Sequence, residues 1–127
     1  MAKIDDAIRD VIDKCEWVAI ATAGPDGPHL AATWGDYIRA LGVESDRLLI
    51  PAGGLRQTEA NLEANPRIEL LLASRQVQRA QGAGQGCVLS GTARLEAAGP
   101  DFDKVKARFP WARAALVVTV ERAATQL

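Results

Sequence analysis

Trp17-Val18-Ala19-Ile20-Ala21-Thr22, then Gly24-Pro25-Asp26-Gly27, then His29-Leu30-Ala31-Ala32-Thr33-Trp34 together decide the fold class. The outer two stretches read as strands, with apolar and β-branched residues bounded by turn residues. The middle stretch is a turn with a mechanism, because proline presets φ and glycine accepts positive φ. So short a link joins antiparallel neighbours, since a parallel crossover needs about a dozen residues or more.

Outward from this hairpin the same reading continues. Upstream, Ile4, Ala7, Ile8, Val11 and Ile12 recur at helical spacing with Asp, Arg and Lys on the other face, which predicts an amphipathic packing helix. Downstream, Asp46-Arg47 leads into a third strand, Leu48 to Ile50, broken by Pro51-Ala52-Gly53-Gly54. A short helix is expected from about Thr58 to Asn65, stopped by Pro66. Ile68 to Ala73 is a strongly apolar fourth strand, and the polar, Gly-rich stretch Gln76 to Gly86 reads as a loop. Cys87 to Leu95 is the fifth strand, Gly99-Pro100-Asp101 opens a helix to about Phe109, and Ala114 to Val120 is the sixth strand. Six short strands with few helices between them predict a mainly β chain closed into an antiparallel barrel, in one domain over residues 1–127.

Composition excludes several function classes. Net charge is −1 and the pI about 5.8, which argues against a general nucleic-acid binder. Cys15 and Cys87 lie far apart without C-x-x-C spacing and read as reduced core thiols of a cytoplasmic protein. Met1-Ala2-Lys3-Ile4-Asp5-Asp6 turns charged at once, so no signal peptide is expected, and no apolar run approaches the ~20 residues of a membrane span.

Acid–base, nucleophilic and metal chemistry are poorly served. His29 is the only histidine and stands at a hairpin strand beside Pro28, which reads as a surface position. One histidine and two scattered cysteines do not make a zinc site. Asp5, Asp6, Asp10 and Asp13 read as solvated helix charge, so no catalytic residue is assigned. Gly82-Ala83-Gly84-Gln85-Gly86 lacks the third glycine, preceding strand and following helix of a dinucleotide fingerprint.

Two clusters remain. In Pro51-Ala52-Gly53-Gly54-Leu55-Arg56-Gln57-Thr58 a strand ends, two glycines admit close backbone approach and a helix begins. Free amides of a first helical turn, the Thr58 hydroxyl and the Arg56 charge form either a phosphate cradle or a plain loop with Thr58 as N-cap. In Thr33-Trp34-Gly35-Asp36-Tyr37, as around Trp111, aromatics beside free backbone either face a flat heteroaromatic ligand or serve as core.

Trp17 to Thr22, Asp26-Gly27-Pro28-His29-Leu30, Thr33-Trp34, Pro51-x-Gly53-Gly54, Thr58-Glu59-Ala60-Asn61 and Trp111 to Val117 stand in an order that resembles the small FMN-binding proteins of sulfate-reducing bacteria. Those belong to the pyridoxamine 5'-phosphate oxidase-like superfamily. The resemblance implies a split β-barrel with short flanking helices, working as a homodimer with one FMN per subunit near the interface. It implies that Thr33, Trp34 and Tyr37 line the flavin, that Gly53, Gly54 and the segment through Thr58 hold ring edge and phosphate, and that Trp111 and Leu127 lie near the ring, reaching the partner's flavin. This chain departs from the pattern at Gln57, where the resembled proteins carry lysine, so that Arg56 or Arg75 would compensate. It departs again at Gly35-Asp36, where they carry asparagine and serine, and in the longer stretch Ile38 to Arg47. It also ends at Leu127, before the substrate-binding part of true pyridoxamine phosphate oxidases. The implied function is electron transfer or a small flavin oxidoreductase with an unidentified redox partner. The alternatives are an FMN-dependent reductase of a diffusible substrate and a non-enzymatic cofactor-binding protein.

Overall fold

In the computed structural model, which describes residues 3–126, helix α1 (Asp6–Lys14) begins where Asp5 accepts a hydrogen bond from the Ile8 amide at 3.0 Å. Ile8, Val11 and Ile12 then face inward, as their spacing requires. The hairpin follows as β1 (Trp17–Gly24) and β2 (Gly27–Trp34), joined by Pro25 and Asp26 alone. After it come α2 (Gly35–Leu41), β3 (Val43–Glu44), β4 (Arg47–Ala52), α3 (Arg56–Ala64), β5 (Arg67–Arg79), β6 (Gly82–Glu96), α4 (Pro100–Arg108) and β7 (Ala114–Gln126).

All pairings are antiparallel, in a single sheet of order β2-β1-β5-β6-β7-β4-β3. The mainly β, antiparallel architecture is as expected, with four corrections. The sheet has seven strands rather than six, because the two-residue β3 pairs with the start of β4. Among the described residues the edges β2 and β3 do not pair, so hydrogen bonds do not close the barrel. Helix α2, where no helix was expected, leaves β2 directly and packs against both β2 and β4 across the opening. The stretch Gln76 to Gly86 is not a loop: β5 and β6 run on through it and turn at Ala80 and Gln81, with Val77 buried against the core. Gly86 is buried there as well, and the pairing shifts register between Ser74 and Gln78.

The main core lies between α1 and the inner sheet face, where Val18, Ile20, Leu70, Leu72, Leu89, Ile50 and Leu116 meet Ile8 and Val11. A second cluster under α4 joins Leu41, Leu49, Val105, Ala115 and Val117, so β7 is buried on both faces where it pairs β4. The outer face of β2-β1-β5-β6-β7 carries no helix of its own over one central row. Ala32, Ala19, Leu71, Val88 and Ala124 stand in register across five strands there. Leu71 is 41% exposed, and Leu30 in the adjoining row is 71% exposed. Leu30, Ala21, Glu69, Ser90 and Arg122 form that adjoining row.

Cys15 and Cys87 are buried free thiols, as expected. Burial pushes the Cys87 thiol up to about 11, and raises Cys15 despite the nearby Arg39 charge. No helix among the described residues is long and apolar enough to cross a membrane.

Candidate functional site

The segment after β4 is built for close approach. Gly53 and Gly54 are exposed, and a β-carbon at Gly54 would meet nothing within 4 Å. Leu55 then adopts the left-handed conformation (φ 58°, ψ 33°) and starts α3, its side chain anchored against the main core. Thr58 is therefore not the N-cap. It stands inside the first turn, fully buried, and its Oγ1 has no hydrogen-bond partner. The Glu59 amide is bonded to the Leu55 carbonyl at 2.9 Å, which leaves the amides of Arg56, Gln57 and Thr58 as the free end of the helix. Arg56 is exposed and first in α3. Pro51 is buried in β4 opposite Ala115.

A residue that sequence reasoning missed holds this loop in place. Arg113 Nε donates to the Gly53 and Gly54 carbonyls, both at 3.1 Å, and its Nη2 donates to the Gly54 carbonyl at 2.7 Å. The same guanidinium pairs with Glu59 at 3.1 Å, and the Arg113 amide donates to the Ala52 carbonyl at 2.8 Å. The only sequence signal was its place two residues after Trp111, at the start of β7.

The aromatics converge on the same loop. Tyr37 lies 4.9 Å from Phe109 and 5.6 Å from Trp111 between ring centroids, and Phe109 lies 5.7 Å from Trp111. A β-carbon at Gly53 would stand 3.2 Å from Trp111 Cε3 and Cζ3, so the indole lies against that glycine. Trp34 and Trp111 are each 51% exposed, which removes the core reading for both. Tyr37 is half-buried, and Phe109 joins the group without having been singled out in the sequence.

The remaining members fall as follows. Thr33 is buried on the inner face opposite Val18, and Asp36 is exposed in the first turn of α2. Gly35 is a packing position. Its amide donates to the Glu16 carbonyl at 2.9 Å, and a β-carbon there would fall 2.2 Å from the Cys15 carbonyl oxygen. Gln57 is exposed but tied, its Nε2 donating to Asn61 Oδ1 at 2.9 Å. His29 is half-buried opposite Thr22. Arg75 lies on the outlying β5–β6 arm, beside Arg79 and Gly84, and shares no pocket with the glycine loop. Leu127 lies outside the described residues. The described residues contain no group of three or more His, Cys, Asp or Glu side chains that could hold a metal ion.

A helix end with free amides, an orphaned hydroxyl and an arginine suits an anion. An exposed indole, that of Trp111, beside open glycine backbone suits a flat apolar ring. The two lie side by side in an otherwise unrelated pair of loops.

Residues 4–127 match the family model described as pyridoxamine 5'-phosphate oxidase, and the chain belongs to that family. The FMN-binding protein of Nitratidesulfovibrio vulgaris (strain Miyazaki F) is 47% identical to it over 103 residues, covering 81% of this chain and 82% of that protein. The crystal structure of HupZ from Group A Streptococcus superposes with a TM-score of 0.74 at 20% identity, over 96% of this chain and 93% of that one. An FMN-binding protein from Syntrophomonas wolfei superposes with a TM-score of 0.66 at 14% identity, over 94% of this chain and 83% of that one. At such identities these two structures share the fold.

Proposed function

We propose that this protein binds FMN noncovalently, as a homodimer, and carries electrons between redox partners. The observation that carries the reading is the meeting of the Gly53–Thr58 loop with Trp111. An anion seat and an aromatic surface are then as close as the phosphate and ring of one flavin nucleotide demand. The residues fit the group: Thr58 Oγ1 is a buried hydroxyl without a partner, and Gly54 leaves open space beside the free amides of α3. Arg56 and the first turn of α3 would hold the phosphate, while Trp111, Tyr37 and Trp34 would flank the ring. The 47% identity to a protein named for FMN binding supports the same choice of ligand.

FMN supplies the redox chemistry when bound, and the chain supplies binding, orientation and exclusion of water. No histidine, cysteine or carboxylate pair stands among the residues of the site, which favours electron transfer over oxidation of a bound substrate. The outer sheet face supports the dimer. Five small or apolar residues in register make an apolar row of the kind that marks an interaction site, and a two-fold partner offers the same surface in return.

The test is the visible spectrum of the purified protein with mass analysis of the released cofactor. FMN in one-to-one ratio is the expected result; a colourless protein that does not take up added FMN overturns the reading. Steady turnover of NADH or NADPH by the loaded protein would replace electron carriage with a reductase activity.

A further inference from the structure

Besides Thr58, two buried polar side chains lie beneath α3: Thr22 on β1, 5% exposed, and Asn61 on the inner side of the helix, 3% exposed. Asn61 Nδ2 donates to Thr22 Oγ1 at 3.1 Å, and Asn61 Oδ1 accepts from Gln57 Nε2 at 2.9 Å. Buried amides and hydroxyls are costly unless bonded, and apolar side chains would pack a helix on a sheet without that requirement. The chain of bonds ends at Gln57, the second residue of α3, exposed and bordering the depression formed with Gly24 to His29.

Each of the three side chains carries both a donor and an acceptor. The chain of bonds can therefore close in two senses, of which the structure shows the first. In one, Gln57 Nε2 donates inward and Oε1 faces out. In the other, the Thr22 hydroxyl donates to Asn61 Oδ1, Asn61 Nδ2 donates to Gln57 Oε1, and Gln57 Nε2 faces out as a donor. Both senses keep the same two bonds and move no charge. An ionised phosphate at the first turn of α3 offers acceptors only, so it selects the second sense. A hydroxyl group, which donates and accepts, selects neither.

We infer that Asn61, seated on Thr22, positions Gln57 as an uncharged hydrogen-bond donor to a phosphate at the first turn of α3, and so adds to selection of a phosphorylated ligand over its dephosphorylated form. This rests on the FMN reading above. Gln57 touches the ligand; Asn61 and Thr22 are positioning residues acting through it.

The experiment is a set of affinities for FMN and for riboflavin, measured on the full chain after removal of bound flavin. The variants are Gln57→Leu, Asn61→Asp and the double variant. Gln57→Leu, at an exposed site, is expected to lower the FMN-over-riboflavin preference by about three- to tenfold, the range of one neutral hydrogen bond. Asn61→Asp offers acceptors only, so it turns Gln57 Oε1 outward and lowers the preference at least as much. Once Gln57 is leucine, Asn61→Asp should change the preference little further. An unchanged preference in Gln57→Leu overturns the inference, and this arm stands even if the buried aspartate unfolds the chain. An equal effect of Asn61→Asp with and without Gln57 also overturns it, because the carboxylate then acts by charge alone. Wild-type protein that binds neither flavin overturns the FMN reading itself, a result distinct from both.

Discussion

The indole of Trp111 lies against Gly53, at a spacing where a single added methyl group would stand 3.2 Å from Cε3 and Cζ3. That contact joins the segment before β7 to the loop after β4, two segments 58 residues apart by number (111 − 53), and it makes one site of two loops. Gly53→Ala should push the half-exposed ring aside by a few tenths of an ångström. The expected results are a shifted tryptophan emission and weaker flavin binding. Trp111→Ala should in addition brighten the fluorescence of bound flavin several-fold, since an electron-rich ring is lost from beside it. Bound flavin as dim in Trp111→Ala as in wild type would remove Trp111 from the ring's surroundings.

Arg113 should govern how well the glycine loop is preformed. Arg113→Ala loses the bonds to Gly53 and Gly54 and the pair with Glu59. The expected cost is about 1–2 kcal/mol of stability and a Tm lower by several degrees, with flavin binding weakened as well. Arg113→Lys should recover little of either, because one ammonium cannot span both carbonyls as the guanidinium fork does. Full recovery by lysine, read by thermal unfolding and fluorescence titration, would reduce Arg113 to a point charge.

Leu71 stands at the centre of the open sheet row, with Ala19 and Val88 as its neighbours in register. Leu71→Arg adds charge there without touching the inner core. Sedimentation at micromolar concentration should show two chains in the wild type and one in the variant, with the far-ultraviolet spectrum unchanged. A wild-type monomer would contradict the dimer.

Cys87 gives a pH dependence with a defined sign. Its folded pKa is raised to about 11 by burial, above the ~8.5 of an exposed thiol. The folded state then holds a proton that the unfolded chain releases. This contribution to stability is complete below about pH 8.5 and falls away as pH rises towards about 11. Urea unfolding across that window should lose stability less steeply in Cys87→Ala than in wild type. Thiol reagents at pH 8 should label the native protein far more slowly than the denatured chain.

Much of this molecule was legible in the sequence because local patterns are short-range physics. Helical spacing of Ile8, Val11 and Ile12, the Pro25-Asp26 turn and the stop before Pro66 need no distant partner, and these features stand where their residues call for them, although α3 starts two residues earlier, at Arg56. The sequence pattern hides β3 because it is two residues long, and hides the β5–β6 arm because that stretch is polar and glycine-rich apart from Val77. The glycine loop and the aromatic positions were visible as candidates, each with a bland alternative. Only the tertiary structure decided between those alternatives. It turned Trp34 and Trp111 outward, brought Phe109 to Tyr37, retired Thr58 as a cap while burying its hydroxyl, and set Gly35 against Cys15. It also placed Arg113 on the loop carbonyls and Asn61 under Gln57. Those relations depend on which strands pair and in what register. Register is a property of the whole sheet, so it lies beyond any reading of one segment at a time.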